Sequence, residues 1–533
     1  MTATETTAAH LLTGGSEPTM RALFSATLER FGGRPAVISG DNTLTYADLA
    51  AAADRLAGAL AALGVGPGTP VALLLSNGAP YVVADLAIIR LGAAKVPLND
   101  MLSATEIGHI LRDSGAVVAL SGPRMLAAGL AADAPELRTI VTLEPPAGAA
   151  DDERLVAWDD LLADAPAHVA PGDVSPADVG LIMYTGGTTG MPKGVVHTQQ
   201  NLVLNLLSHI IEMGLADDER LLLMSPLPHS AGFLLQAGLV RGAVNFVEPA
   251  FDPDLVLDRI ERDRVTYTFM VPTMIYRVLD RAVDRSAAAP LDLSALRTIL
   301  YGAAPITQER LTQGLELLGP VFMQLYAQSE APNFITRLRR DDHRNDPDHV
   351  HRLTSCGQPV AMAEVRVLDD NGDEVPRGEV GEICARTPYT MIGYRGLPEV
   401  TAETLVDGWL HTGDVGRMDD EGYVYLLDRK KDMIITGGMN VYCSEVENVL
   451  ATYDGVRQVA VAGIDHPDWG EAVVAFVVAT EPGAIDEATV LARCRDDLSA
   501  YKRPKAVRIV DALPVTAYGK FDKKALRATW PGW

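Results

Sequence analysis

The sequence predicts an α/β fold, with a large N-terminal domain of layered sheets and helices followed by a small α+β C-terminal domain. Three observations predict it. Strand-like apolar runs alternate with amphipathic helical stretches along the whole chain, which is the pattern of sheet-and-helix layers rather than of a bundle or a sandwich. The chain has 533 residues, 48% of them hydrophobic, and at roughly 100–200 residues per domain that length builds more than one core. Charge divides unevenly as well. Of 45 Lys plus Arg and 70 Asp plus Glu, 14 of each sign fall from Arg429 onward, so the formal charge of −25 belongs entirely to residues 1–428. The boundary is therefore placed at Asp428-Arg429-Lys430-Lys431, giving domains 1–428 and 429–533.

The first residues, MTATETTAAHLLTGGSEP, lack the basic start and apolar core of a signal peptide and read as a short disordered lead. Thr45 is placed to cap a helix whose Leu49, Leu56, Leu60 and Leu63 recur at helical spacing up to Gly64, ahead of a strand at Val71 to Leu75. Pro145 to Pro176, rich in Ala, Asp and Pro, reads as a surface excursion, because strand signals resume at Val179 to Tyr184. The longest apolar runs, such as Ala472 to Ala479, fall well short of the ~20 residues a bilayer demands. Four scattered cysteines, Cys356, Cys384, Cys443 and Cys494, fit neither a zinc spacing nor a disulfide scaffold. A soluble, cytoplasmic protein is expected, as a monomer or homodimer. Its acidity excludes non-specific binding to nucleic acid or to an anionic membrane, and anionic small molecules would need local basic groups. Lys502-Arg503-Lys505 and Lys520-Lys523-Lys524 could supply these, or be solvated faces. The stretch holding His343, His349 and His351 among acids shows no four-ligand pattern and reads as a solvated loop.

The most informative segment is YTGGTTGMPKG, Tyr184 to Gly194, directly after the apolar run Val179 to Met183. Hydroxyls and glycines at this density let backbone N–H groups and the side chains of Thr185, Thr188 and Thr189 wrap phosphate oxygens, with Gly186, Gly187 and Gly190 permitting close approach and Lys193 as counter-charge. The common triphosphatase loop needs Gly-Lys-Ser/Thr contiguous, whereas Met191-Pro192 separates Gly190 from Lys193 here. A flexible turn between strand and helix is the competing interpretation.

With this segment the sequence resembles the adenylate-forming (ANL) superfamily of acyl-CoA synthetases, peptide-synthetase adenylation domains and luciferases, whose signature is Tyr-Thr-Ser-Gly-Thr-Thr-Gly-x-Pro-Lys-Gly. Gly186 stands where the family usually has Ser. Further motifs come in the family's order. Pro226-Leu227-Pro228-His229-Ser230-Ala231-Gly232-Phe233 is similar to the acyl-pocket motif, and the resemblance implies that His229 lines the carboxylate site and gates the thiol's approach. Tyr301-Gly302-Ala303-Ala304-Pro305 resembles the loop between adenine and acyl group, where small residues admit backbone close to ligand. Gln324-Leu325-Tyr326-Ala327-Gln328-Ser329-Glu330 is similar to Tyr-Gly-x-Thr-Glu, which implies Tyr326 packed on adenine, Ser329 on the α-phosphate and Glu330 holding Mg²⁺. A single carboxylate suits magnesium, which takes its other ligands from water and phosphate. Ala327 replaces the usual Gly, adding a methyl beside the nucleotide or the acyl pocket.

Trp409-Leu410-His411-Thr412-Gly413-Asp414 matches the motif whose Asp binds the ribose diol, so Asp414 is assigned to ribose. Asp428-Arg429-Lys430-Lys431-Asp432 and Thr436-Gly437-Gly438 resemble the hinge and the strand after it. The resemblance implies that Arg429 contacts ribose, that Lys431 is the hinge of a mobile small domain, and that Gly437 and Gly438 line the pantetheine tunnel once that domain turns. Pro514-Val515-Thr516-Ala517-Tyr518-Gly519-Lys520 matches the C-terminal element whose lysine, Lys520, serves adenylation. The implied activity converts a hydrophobic aryl or fatty carboxylic acid with ATP and Mg²⁺ to an acyl-adenylate and then, with CoA, to acyl-CoA, AMP and pyrophosphate. Alternative acceptors are a carrier protein's phosphopantetheine, or an amine that meets the adenylate or an adenylated inorganic anion such as nitrite, and a catalytically silent binding module is the non-enzyme alternative. The pocket candidates His229, Ser230, Ala231, Gly232, Phe233, Gly302, Ala303, Ala304 and Ala327 are small or apolar and include no Asp to receive an α-amino group, which disfavours amino acids.

Overall fold

The computed structural model describes residues 18–144, 152–163, 165, 172–185, 191–304, 306–516 and 521–533. Two large sheets organise most of the chain as far as Gly393–Tyr394. An eight-stranded sheet runs in the order Gly393–Tyr394, Lys193–Thr198, Val179–Thr185, Ala94–Pro97, Pro70–Leu74, Val118–Ser121, Thr139–Thr142, Leu155–Ala157. A nine-stranded sheet carries Arg220–Leu223, Tyr267–Met270, Thr298–Tyr301 and Phe322–Gln328 as parallel neighbours, with Ala331–Leu338 antiparallel beyond them. Their strands are near-continuous apolar runs because both faces are covered by helices. One core joins the sheets across the helices between them: Leu73, Leu120 and Met183 from one sheet, Leu221, Phe269 and Leu325 from the other, and Leu56, Tyr81, Leu206 and Leu235 from the helices.

The expected early elements are present. Thr45 caps the helix Tyr46–Ala62 with a full capping box, its side chain accepting from Asp48 N–H, and the strand Pro70–Leu74 comes next. The Pro145 to Pro176 excursion is less irregular than its composition implies. Leu155–Ala157 adds a parallel strand to Thr139–Thr142 and Trp158–Ala163 forms a short helix, so part of the segment edges the sheet. His343 also departs from the solvated loop expected of it. It is buried, with Nε2 2.9 Å from the Tyr301 hydroxyl and Nδ1 2.7 Å from Arg339 O. A composition of acids around a histidine does not reveal that one ring turns inward.

The later sheets are smaller. Glu364–Leu368, Val380–Arg386, Trp409–Met418, Leu405–Val406 and Val424–Arg429 form one five-stranded sheet. Met439–Val441, Ile434–Thr436, Gly470–Ala479, Val456–His466 and Ala506–Ile509 form another, covered by the helices Cys443–Ala451 and Glu487–Asp497 around Val461, Val473, Leu450 and Val490. The turn between Arg429 and Ile434 joins the two sheets, with Asp432 and Met433 N–H both donating to Arg429 O. Among the described residues, no helix is long and apolar enough to cross a membrane.

Candidate active site

Sheet pairing assembles the site. Trp409–Met418 runs antiparallel to Val424–Arg429 in a register that sets Asp414 opposite Arg429. Arg429 Nε lies 2.6 Å from Asp414 Oδ1. The other carboxylate oxygen accepts from the Tyr326 hydroxyl (2.7 Å) and Gln328 Nε2 (2.8 Å). Gln328 also donates to Thr412 O, and Thr412 Oγ1 accepts from Asp414 N–H, so the Thr412-Gly413-Asp414 turn is held from several sides. Glu382 completes it by accepting from Gly413 N–H. Asp414 is 6% exposed. Burial and the adjacent Asp414 carboxylate push the Tyr326 hydroxyl well above its ordinary pKa, so it stays a donor. Burial works against the Arg429 charge, but Asp414, Tyr326 and Glu330 outweigh it and the guanidinium stays firmly charged.

Glu330 stands next to this cluster. Its Oε1 accepts from the Tyr394 hydroxyl at 2.6 Å, and its carbonyl accepts from Met391 N–H at 2.8 Å. Lys193 Nζ lies 4.7 Å from the centre of the Tyr394 ring. Ser329 O accepts from Nε2 of the buried His197, whose pKa burial lowers to about 4. Lys431, an exposed side chain, has its pKa lowered by partial desolvation and by the nearby Arg429 and Lys193 cations. Lys193, Arg429 and Lys431 thus gather positive charge around the carboxylates of Glu330 and Asp414, inside a chain of strongly negative total.

Thr185 and Lys193 are opposite one another in an antiparallel pair, Val179–Thr185 with Lys193–Thr198. The Gly/Thr-rich segment therefore links two strands of a hairpin, not a strand and a helix. Gly186, Gly187, Thr188, Thr189 and Gly190 lie outside the described residues, as do Pro305 and Lys520. Tyr184, at the base of the hairpin, donates to Asp113 Oδ2 at 2.5 Å, and Arg395 Nε donates to Asp113 O.

His229 sits in a one-turn π-helix, Leu227–Ala231, with φ −117° and ψ −147° inside it. Asn99 Nδ2 lies 3.1 Å from His229 Nε2, and burial lowers the ring's pKa to about 4, so it is neutral near pH 7. Gly232 is next in the chain. A Cβ there would stand 2.3 Å from Leu227 O, which only glycine avoids. Gly302 is equally constrained, since a Cβ would meet Leu325 O at 2.7 Å, and Ala303 beside it holds φ +68°, a left-handed conformation that costs an L-residue ~1–2 kcal/mol. Ala304, after it, is partly buried. Ala327 packs against the cluster of Tyr326, Ala331, Ile335 and Cys356.

Gly437 and Gly438, with φ +56° and +80°, turn the hairpin between Ile434–Thr436 and Met439–Val441, as a type I′ turn requires. Gly437 N–H donates to Trp469 O. Gln328 and Tyr394, both central to the geometry, are not singled out by the sequence. Gln328 alternates with Tyr326 along the strand Phe322–Gln328, which would have pointed it to the same neighbourhood.

The fold is that of the adenylate-forming enzymes, and the chain belongs to the AMP-binding enzyme family, matched over residues 24–395, with the AMP-binding enzyme C-terminal domain matched over 445–520. Feruloyl-CoA synthase of Amycolatopsis sp is 41% identical over 518 residues, covering 96% of this chain and 98% of that protein. The medium/long-chain-fatty-acid–CoA ligase FadD8 of Mycobacterium tuberculosis is 38% identical, covering 96% and 90%. Among solved structures, the amide bond synthetase McbA from Marinactinospora thermotolerans is similar with a TM-score of 0.83 at 32% identity, covering 96% of this chain and 99% of that one.

Proposed function

We propose that the chain activates a hydrophobic aryl or fatty carboxylic acid with ATP to an acyl-adenylate and transfers the acyl group to CoA. The supporting observation is the junction of Asp414, Arg429, Tyr326 and Gln328 with Glu330 and Lys193. A carboxylate backed by a guanidinium is a partner for a ribose diol, and Lys193 supplies charge for phosphates. Glu330 suits Mg²⁺, because Tyr394 occupies Oε1 and the other oxygen can serve a hard cation whose remaining ligands are water and phosphate. Bound there, the ion would screen the triphosphate's negative charge.

In the first step the acid's carboxylate attacks the α-phosphorus and pyrophosphate leaves with the bonding pair. No enzymic nucleophile is needed. The barrier is the meeting of two anions, so the chain contributes alignment and positive charge. Lys520 is assigned to bridge the carboxylate and α-phosphate, Thr185 and the Gly186 to Gly190 loop to hold the β- and γ-phosphates, Ser329 to touch the α-phosphate, and Gly302, Ala303 and Ala304 to flank the adenine. In the second step the CoA thiol, losing its proton, attacks the adenylate's carbonyl and AMP leaves. The neutral His229 borders the acyl carboxylate and the thiol's path. A small domain, 429–533, turning about Lys431, withdraws Lys520 and brings Gly437 and Gly438 to the pantetheine, so one site serves both reactions.

Likeness to an amide bond synthetase favours a second reading, in which an amine takes the acyl group. A panel of aryl, cinnamyl and straight-chain acids, assayed by ATP–pyrophosphate exchange and by product analysis with CoA, a phosphopantetheinyl carrier protein, or an amine, decides between them. Acyl-CoA formed at low CoA concentration supports the proposal. Amide formed with CoA omitted, and no thioester with CoA present, refutes it.

A further inference from the structure

The sequence motifs give Tyr394 no role, yet it touches two of the principal groups. The short strand Gly393–Tyr394 pairs antiparallel with Lys193–Thr198, placing Tyr394 opposite Val195. Its backbone is pinned on all sides. Ile392 N–H donates to Val196 O (2.9 Å), Arg395 N–H to Gly194 O (2.8 Å) and Tyr394 N–H to Thr401 Oγ1 (2.9 Å). Gly393 holds φ +149°, and a Cβ there would stand 2.8 Å from Thr401 Cγ2, so this approach needs glycine. From that fixed base the phenol hydroxyl donates to Glu330 Oε1 at 2.6 Å and the ring face meets Lys193 Nζ at 4.7 Å.

We infer that Tyr394 is a positioning residue that couples Lys193 to Glu330, its hydroxyl fixing the carboxylate's orientation and its ring holding the ammonium. The inference rests on the proposed roles of Glu330 and Lys193. A carboxylate with one oxygen tied by a charge-assisted hydrogen bond presents the other in a defined direction. An aromatic face attracts a lysine cation without neutralising it, so the ammonium is kept near the carboxylate yet remains available to phosphate. A direct Lys–Glu pair would instead consume both charges. The two contacts are separable, because phenylalanine keeps the ring and discards the hydroxyl, whereas leucine discards both.

The test is equilibrium binding of ATP by calorimetry, without acid, in excess Mg²⁺ and in EDTA, for the wild type, Tyr394→Phe and Tyr394→Leu. The wild type should bind ATP more tightly in Mg²⁺. Tyr394→Phe should lose about tenfold of that Mg²⁺-dependent tightening while its Kd in EDTA stays within about twofold, the scale of one hydrogen bond to a charged group. Tyr394→Leu should lose the same tightening and also bind ATP about threefold or more weakly in EDTA, from the lost ring. Unchanged Mg²⁺ tightening in Tyr394→Phe overturns the inference while leaving the proposed function standing. Equal losses by Phe and Leu under both conditions also overturn it, as a merely structural role. No ATP binding by the wild type refutes the proposed function, and the inference with it.

Discussion

Lowering the pH should destabilise this protein well before its carboxylates titrate, because four histidines are held without charge in the folded chain. His197, His209, His229 and His343 each have a pKa lowered by desolvation to about 4. In the unfolded chain each returns to the ordinary value of about 6.5. Between those values the unfolded state binds more protons than the folded one, so stability rises with pH and is lost as pH falls from about 6.5 toward 4. At pH 5.5 each ring costs about 1.4 kcal/mol relative to pH 8, and the four together roughly 5–6 kcal/mol, a large part of a typical domain's stability. Glu447 acts in the opposite direction. Its raised pKa, from burial, lets it take a proton while folded and offsets part of the loss. Urea unfolding between pH 8 and 5 should show a falling midpoint, with about three to four protons taken up on unfolding at pH 5.5. His343→Gln should reduce that uptake by about one proton. A midpoint flat from pH 8 to 5.5, or an uptake unaffected by the substitution, refutes the reasoning.

Three further outcomes are expected. Asp414→Asn removes the charge that pairs Arg429 and should raise the KM for ATP about 10- to 100-fold with the KM for CoA little changed, read by steady-state kinetics. Lys431→Pro should slow thiolysis of a supplied acyl-adenylate about tenfold or more while adenylation changes by less than about threefold; the reverse order would mean that the hinge lies elsewhere. Lys523→Met leaves Glu447 without its partner at 3.3 Å and should destabilise the protein by about 2–4 kcal/mol, below the cost for a wholly buried pair because the two side chains keep 17% and 21% exposure. Denaturant melts check this, and an unchanged midpoint would make the pair neutral.

The layered architecture was legible because parallel strands buried on both faces are apolar runs that stand out against helical spacing, as at Pro70–Leu74 after the Thr45-capped helix. Asp414 and Arg429 were legible as motif members. Their mutual contact was not, since it arises from strand register across a sheet. Tyr394 was missed for the same reason: Glu330 and Lys193 are its neighbours only through pairing of distant segments. Lys523 read as part of a basic cluster, yet it forms a half-buried ion pair with Glu447 of the helix Cys443–Ala451. The competing interpretation of Tyr184 to Gly194, a turn from strand to helix, fails because the strand Lys193–Thr198 follows; glycine and threonine announce a loop without specifying whether a strand or a helix comes next.

The central claim is that one site performs two reactions, with Lys520 serving only the first. Its most direct test is the Lys520→Ala variant assayed in both half-reactions by rapid quench: ATP plus acid to adenylate, and supplied acyl-adenylate plus CoA to thioester. The predicted result is a fall of about 100-fold or more in adenylate formation, the scale of losing one transition-state electrostatic contact, with thiolysis within about threefold of wild type. Equal loss in both half-reactions, or none in the first, would contradict it.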